Sequence, residues 1–174
     1  MALIYITGIA GSGKSTVRQE LLRRGYKVYG GAEDGIAAFF NNDSGKRVER
    51  LVPAKERTPE WLSIHSWRIP LAVITKLRLL AKDEPVYVCA YTSNDKSELW
   101  GLFDKIFALT TDKETIKYRI TNRTNNDVGK TSNELKDILN QQKTAEEEYQ
   151  KLGAIIIDAK QPITRVVDEI LEKT

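Results

Sequence analysis

The eight residues 8–15 constrain the fold more than any other part of the sequence. They read Gly-Ile-Ala-Gly-Ser-Gly-Lys-Ser and fit the pattern G-x-x-x-x-G-K-[S/T]. The apolar run 3–7 precedes them and a helical pattern begins at Ser15. Glycines at this spacing let backbone N–H groups surround a phosphate, and the following helix adds the positive end of its dipole. The pattern predicts a phosphate-binding loop between a buried parallel strand and a helix.

Each residue type in this loop has an expected task. Lys14 should reach the β- and γ-phosphates of a nucleotide, and the Ser15 hydroxyl should bind Mg²⁺. The residues expected to contact the nucleotide here are Gly8, Ala10, Gly11, Ser12, Gly13, Lys14, Ser15 and Thr16.

Apolar runs alternate with helical patterns along the rest of the chain. Predicted strands cover residues 3–7, 26–29, 85–90, 105–110 and 154–158. Predicted helices cover residues 15–24, 59–81 with a restart at Pro70, 94–103, 111–123 and 131–152, with a last one opened by Pro162. This alternation is typical of an α/β fold with a parallel sheet. Between them, residues 37–40 could open a helix, or residues 39–48 could form a hairpin with its turn at 42–45; we favour a hairpin or loop.

Length and charge limit the kind of protein. The chain has 174 residues, which predicts a single domain, and its 27 basic and 24 acidic residues give a net charge of +3. This balance disfavours a dedicated nucleic-acid-binding module. One cysteine and one histidine exclude an intrachain disulfide and a Cys/His zinc cluster. No basic signal-peptide region and no membrane-length apolar run is evident, so we expect a cytoplasmic protein without a membrane partner.

With this loop at residue 8 and five predicted strands, the sequence resembles the small P-loop kinases of the adenylate kinase, shikimate kinase and gluconokinase groups. The resemblance covers nearly the whole chain in element order and depends on three motifs. Besides the loop, a helix with Arg119 and Arg123 followed by a polar segment looks like a lid. Residues 157–162 look like the turn that packs an adenine ring, in which Asp158, Gln161 and Pro162 would contact the nucleotide.

The resemblance implies a three-layer P-loop NTPase fold with a five-stranded parallel sheet of order 2-3-1-4-5 and helices on both faces. Within one domain of residues 1–174, residues 32–70 would bind the phosphate acceptor and residues 123–131 would form the short lid.

Arg119 and Arg123 are four residues apart and therefore share one helix face. One guanidinium could stack on a base or contact phosphate, while Arg123 neutralises the charge of the moving phosphoryl group. The alternative is a solvated basic helix face. Lys130 is a weaker candidate in the lid.

An acid is expected beside the loop, because ligands of such sheets bind at the carboxyl ends of the strands. Asp34 follows the second strand and could deprotonate the acceptor hydroxyl or hold Mg²⁺ through water. Shikimate kinases, which the chain resembles, have an Asp in this position and role. Glu33 is the alternative if the register differs by one residue. The third strand ends without an acid, so Mg²⁺ would depend on Ser15, the phosphates, water and Asp34.

Aromatic and basic residues gather in the predicted acceptor region, where they suit a planar or phosphorylated acceptor. They are Phe39, Phe40, Arg57, Trp61, Trp67 and Arg68. Trp61 and Arg68 are the chosen substrate contacts, although the tryptophans could instead pack a helix onto the core. His65 is interpreted as a packing or surface residue, and Cys89 as a buried apolar one.

Together these features predict ATP-dependent phosphoryl transfer to a small-molecule acceptor, with Mg²⁺ as cofactor. The acceptor would be a nucleoside, a nucleotide or another hydroxyl-bearing metabolite. Two alternatives stay open: a nucleotide-binding regulatory ATPase, and a polynucleotide-end kinase, which the near-neutral charge disfavours. The expected partners are ATP and the acceptor; nucleic acid is disfavoured, and a homodimer is a further expectation.

Overall fold

The computed structural model describes residues 1–124 and 126–174, and a five-stranded parallel sheet lies at its centre. Its order is β2-β5-β1-β6-β7, which confirms the predicted order 2-3-1-4-5 of the five core strands. These strands are β1 (Leu3–Thr7), β2 (Lys27–Gly30), β5 (Val86–Cys89), β6 (Lys105–Thr110) and β7 (Ile155–Asp158). All five residues of β1 are buried, because a central parallel strand is covered on both faces.

Helices cover both faces of this sheet. They are α1 (Lys14–Arg23), α3 (Leu71–Leu80), α4 (Lys113–Asn122), α5 (Ser132–Lys151) and α6 (Ile163–Glu172), whereas the short α2 (Pro59–Ser63) packs against residues 65–68. Alternate β1 residues face opposite sides: Ile4 packs with α1 and α6, and Tyr5 packs with α3. The helices α4 and α5 form a third apolar cluster with Ile9 of the loop after β1. The three-layer α/β fold is therefore confirmed.

The predicted helix over residues 59–81 is wrong between residues 64 and 69, whereas its restart at Pro70 is confirmed, because Pro70 is the N-cap of the helix Leu71–Leu80. Its beginning is confirmed, because the Thr58 hydroxyl accepts a hydrogen bond from the Trp61 amide and Pro59 follows at the first position. The helix α2 ends at Ser63, however, and strand β4 (His65–Arg68) follows before α3 begins. β4 pairs antiparallel with β3 (Ala38–Asn41), and this distant partner overrides the local helical spacing.

The ambiguous stretch contains the favoured hairpin turn. A bridge joins Phe40 to Arg47, the Asn41 amide donates to the Lys46 carbonyl, and Gly45 adopts φ +66°. The strand β3 thus has the turn on one side and β4 on the other. The predicted helix at 94–103 is also irregular: it is a π-helical turn (Asp95–Leu99) followed by a 3₁₀ turn (Trp100–Leu102).

Candidate functional site

The glycine-rich loop connects the carboxyl end of β1 to the first turn of α1. Gly8 and Gly13 have φ values of +148° and +112°, a backbone conformation that residues with a Cβ atom rarely adopt. A Cβ at Gly8 would lie 2.6 Å from the Leu109 carbonyl oxygen, so the loop packs tightly against β6. Gly13 is the N-cap of α1 and offers no side chain to the first amides of the helix. These amides can therefore serve an anion.

Lys14 lies along the loop. Its Nζ donates hydrogen bonds to the carbonyl oxygens of Gly8 at 2.5 Å and Ile9 at 3.0 Å. The ammonium group is also 5.9 Å from the centre of the Tyr91 ring, which follows β5. The positive charge is thus held at the carboxyl edge of the sheet, where the sequence predicts the nucleotide phosphates.

The two acids after β2 have different partners. The Ser15 hydroxyl donates to Glu33 Oε1 at 2.5 Å. Asp34 instead accepts two hydrogen bonds from Arg18, at 2.8 and 2.9 Å, and one from the Gly30 amide at 2.6 Å. The sequence interpretation chose Asp34 as the acid beside Ser15; the structure places Glu33 there, the alternative at an offset of one residue. The turn after Gly30 directs consecutive side chains to different partners.

The oxygen atoms of Ser15 and Glu33 fit a magnesium ion. Mg²⁺ prefers hard oxygen ligands and is commonly held by one or two protein groups together with nucleotide phosphates. Within residues 1–124 and 126–174, no group of three or more His, Cys, Asp or Glu side chains could hold a metal ion by itself. A metal here would therefore depend on the nucleotide for most of its ligands.

Arg119 joins two of the sequence motifs. Its Nη1 donates to the carbonyl oxygens of Ser12 at 3.0 Å and Gly11 at 3.4 Å, and its Nη2 donates to that of Ala159 at 2.7 Å. Burial lowers the pKa of this guanidinium. The side chain spans the phosphate loop and the turn after β7, as a nucleotide-contacting arginine of α4 would.

The turn at 158–162 has hydrogen bonds of its own and contacts with neighbouring elements, among them the ion pair of Lys160 with Asp112. The Asp158 carboxylate accepts from the Lys160 amide at 2.9 Å, and Gln161 reaches the Asp158 carbonyl and Glu169 of α6. Pro162 is the N-cap of α6. The structure thus brings the backbone of this turn to Arg119, whereas the side chains of Asp158 and Gln161 line an open groove of about 560 Å³.

The predicted lid contains Arg123 and Lys130; Asn125, within it, lies outside the described residues. Arg123 donates through Nη2 to the Val128 carbonyl, and burial lowers its pKa. Its buried Nε has no hydrogen-bond partner among the described residues. Lys130 donates to the carbonyl oxygens of Thr121 and Arg123, where it caps the end of α4.

Arg57 is a site residue that the sequence interpretation did not select. Its side chain is 6% exposed and donates to Glu134 at 2.8 Å, Asp127 at 3.1 Å and the Val52 carbonyl at 2.7 Å. This network attaches the predicted acceptor region to the predicted lid and to the beginning of α5. Its partners lie 70 and 77 residues along the chain, so local sequence carries no signal for them.

The selected acceptor residues have structural partners. Arg68 forms an ion pair with Glu98. Trp61 stacks on His65, with ring centres 4.0 Å apart, and Phe39 meets Trp61 and Trp67 edge-on at 4.8 and 5.0 Å. These ring contacts join α2, β3 and β4 to one another, and a substrate role for Trp61 and Arg68 stays a prediction.

The sequence matches one protein family, and the structure aligns with solved structures that share its fold. The family described as AAA domain matches residues 4–140. The structure of shikimate kinase from Acinetobacter baumannii in complex with shikimate aligns with a TM-score of 0.62 and 14% identity, over 99% of this chain and 92% of that one. None of the curated proteins matches the sequence.

Two further structures share this fold. Deoxyadenosine kinase from M. mycoides with bound dATP aligns with a TM-score of 0.57 and 16% identity, over 99% of this chain and 98% of that one. A gluconokinase from Sinorhizobium meliloti 1021 aligns with a TM-score of 0.51 and 21% identity, over 97% and 89%. The fold predicted from the resemblance is thus confirmed. In the part of the chain that the structure describes, no helix is long and apolar enough to cross a membrane.

Proposed function

The chain belongs to the AAA domain family, and we propose that it is a kinase that transfers the γ-phosphoryl group of ATP to a hydroxyl group of a small molecule. The observation that carries this proposal is the 2.5 Å hydrogen bond between Ser15 Oγ and Glu33 Oε1. It puts a metal-binding hydroxyl and a carboxylate together at the mouth of a phosphate-binding loop. Phosphoryl transfer to a hydroxyl needs both groups at one point.

On the donor side, the loop amides and Lys14 hold the phosphates of ATP. Arg119 lies between the loop and the turn after β7, where the base would bind. Arg123 supplies positive charge to the transferred group. Mg²⁺, held by Ser15, the phosphates and water, would neutralise phosphate charge when bound.

On the acceptor side, Glu33 takes the proton of the attacking hydroxyl. A bond then forms between that oxygen and the γ-phosphorus, the bond to the β–γ bridging oxygen breaks, and ADP leaves. Asp34, held by Arg18, is the other acid in reach of this task. Residues 32–70, with Trp61 and Arg68, would bind the acceptor within a single domain of residues 1–174. Kinases of deoxyadenosine, gluconate and shikimate share the fold, so hydroxyl-bearing metabolites are the first acceptors to try.

The location and partners of the protein form part of the same proposal. A cytoplasmic location would supply ATP and keep the single cysteine reduced. The partners are ATP and the acceptor, with no role for nucleic acid, and a homodimer remains to be measured by light scattering.

The test is transfer of label from γ-labelled ATP to a panel of nucleosides, nucleotides, sugar acids, shikimate and oligonucleotides. Lys14→Ala should lower transfer at least about a hundredfold while the protein stays folded, as circular dichroism would show. Lys151→Ala is the matched control, because Lys151 is exposed and pairs with Glu147 on α5.

Three results would contradict the proposal. Unchanged turnover in Lys14→Ala would reject the phosphate-loop assignment. Release of inorganic phosphate with no labelled acceptor would favour a regulatory ATPase. Label on oligonucleotides alone would identify a polynucleotide-end kinase.

A further inference from the structure

Two arginines face the same pair of carboxylates where the acceptor region meets the lid. Arg57 is buried, with 6% of its side chain exposed, and lies between Glu134 and Asp127, which are 13% and 51% exposed. The charges of the same two acids also act on the Arg123 guanidinium. Two positive and two negative groups thus share one small volume, and their pairing decides which arginine keeps an uncompensated charge.

The hydrogen bonds give both acids to Arg57. Glu134 Oε1 accepts from Arg57 Nε at 2.8 Å, and its Oε2 accepts from the Gly129 amide at 2.8 Å. Asp127 Oδ1 accepts from Arg57 at 3.1 Å, and its Oδ2 accepts from the Ala54 amide at 2.7 Å. All four carboxylate oxygens therefore have a donor that is not Arg123.

Arg123 is left with a neutral partner. Its Nη2 donates to the Val128 carbonyl, and its buried Nε has no partner among the described residues. A guanidinium already paired with a carboxylate would have to break that pair before it could stabilise another negative charge. One that has no carboxylate partner and an unsatisfied buried Nε is prepared for an incoming anion.

We propose that Arg57 is a positioning residue that keeps Asp127 and Glu134 away from Arg123, so that the Arg123 guanidinium stays available to the transferred phosphoryl group. The inference rests on the proposed function, since it requires Arg123 to act on that group. It assigns Arg57 a task in phosphoryl transfer although it need not touch either substrate.

The charge states of the two arginines agree with this division. Burial by itself would lower the pKa of Arg57, but the hydrogen bond and charge of Glu134, and then those of Asp127, raise it overall. For Arg123 burial prevails over the attraction of both acids, and its pKa is lowered. Arg57 is thus the compensated partner.

The experiment removes the positioning residue and then the acids that it controls. In Arg57→Gln, one of the released carboxylates should pair with Arg123, so kcat should fall about tenfold or more while KM for ATP changes less than about twofold. In the triple variant Arg57→Gln, Asp127→Asn, Glu134→Gln, no carboxylate competes, and kcat should return to within about threefold of wild type. Arg78→Gln is the matched control, because Arg78 lies outside residues 32–70 and the lid and pairs with Asp104 at the surface.

Recovery in the triple variant separates positioning from mere structural support. A triple variant with a normal melting temperature but a kcat as low as that of Arg57→Gln would overturn the inference, as would a normal kcat in Arg57→Gln. If Arg57→Gln fails to fold because it leaves buried acids unpaired, the folded triple variant decides: near-normal kcat supports the inference, and a kcat as low as that of Arg123→Gln overturns it.

Two further results separate the inference from the proposed function. Absence of transfer by the wild-type protein would reject the kinase itself. Full activity of Arg123→Gln, where a loss of about a hundredfold is expected, would reject the task of Arg123 and with it the inference.

Discussion

Removing the charge of either neighbouring acid, Glu33 or Asp34, should change a different property of the protein. Loss of the Glu33 charge should lower kcat, and loss of the Asp34 charge should lower the free energy of unfolding. Glu33 is exposed and accepts a hydrogen bond from Ser15. Asp34 is engaged by Arg18 and the Gly30 amide, and the two side chains of that ion pair are 16% and 30% exposed. The substitutions Glu33→Gln and Asp34→Asn keep size and shape, so they isolate the charge at each position.

The structure gives a size for each effect. Asp34→Asn weakens two charge-assisted hydrogen bonds to Arg18, and after discounting for partial exposure we expect a loss of about 1–2 kcal/mol in the free energy of unfolding. For a domain of this length that corresponds to a melting temperature lower by about 3–6 °C. Glu33→Gln should change stability by less than about 0.5 kcal/mol. As the proton acceptor, Glu33 should instead contribute about 10²–10⁴-fold to kcat.

The assay combines transfer of label from ATP with thermal unfolding followed by circular dichroism, on both variants and the wild type. The expected outcome is a stable, inactive Glu33→Gln and a less stable Asp34→Asn that keeps most of its turnover. An active Glu33→Gln beside a stable, inactive Asp34→Asn would refute this reasoning and return the catalytic acid to Asp34.

Two further predictions follow from shifted pKa values. Hydrogen bonds from Arg23, and next from Arg24, lower the Glu20 pKa from 4.5 to about 2. Ionised Glu20 therefore stabilises the native state fully above pH 4.5, and this contribution disappears as the pH falls towards 2. Glu20→Gln should flatten the curve of melting temperature against pH between these two values. An unchanged slope would contradict the ion pairs of Glu20. Burial raises the pKa of Cys89, so a thiol reagent at pH 8 should label only unfolded protein, and rapid labelling of native protein would show that β5 is accessible.

The core strands and the phosphate loop were predictable because their signals are local. β1 is a continuous apolar run, as a fully buried parallel strand requires, and the loop motif lies within eight consecutive residues. Strand β4 was not predictable in the same way. Trp61, Ile64, His65 and Arg68 have helical spacing, and only pairing with residues 38–41 makes the second half of that segment a strand.

The site shows the same limit. Whether Glu33 or Asp34 faces Ser15 depends on the geometry of the turn after Gly30. The sequence shows two consecutive acids there but not which of them the turn directs towards Ser15. The pairing of Arg57 with Asp127 and Glu134 depends on segments brought together only by the finished fold. The residue type indicated that arginines would contribute to the site. Which of them pairs with acids and which stays available for catalysis is decided only by the tertiary structure.

The central position of β1 has a consequence for synthesis on the ribosome. Both of its neighbours, β5 and β6, come much later in the chain, so β1 cannot pair with β5 until about residue 90 has been made, and with β6 until about residue 110. At ordinary translation speeds this leaves the segment Leu3–Thr7 unpaired for roughly 4–17 s. An apolar, β-branched strand exposed for that time is a target for chaperones and a starting point for aggregation. We therefore expect translation speed and temperature during expression to affect the soluble yield more than substitutions in α5 or α6 do.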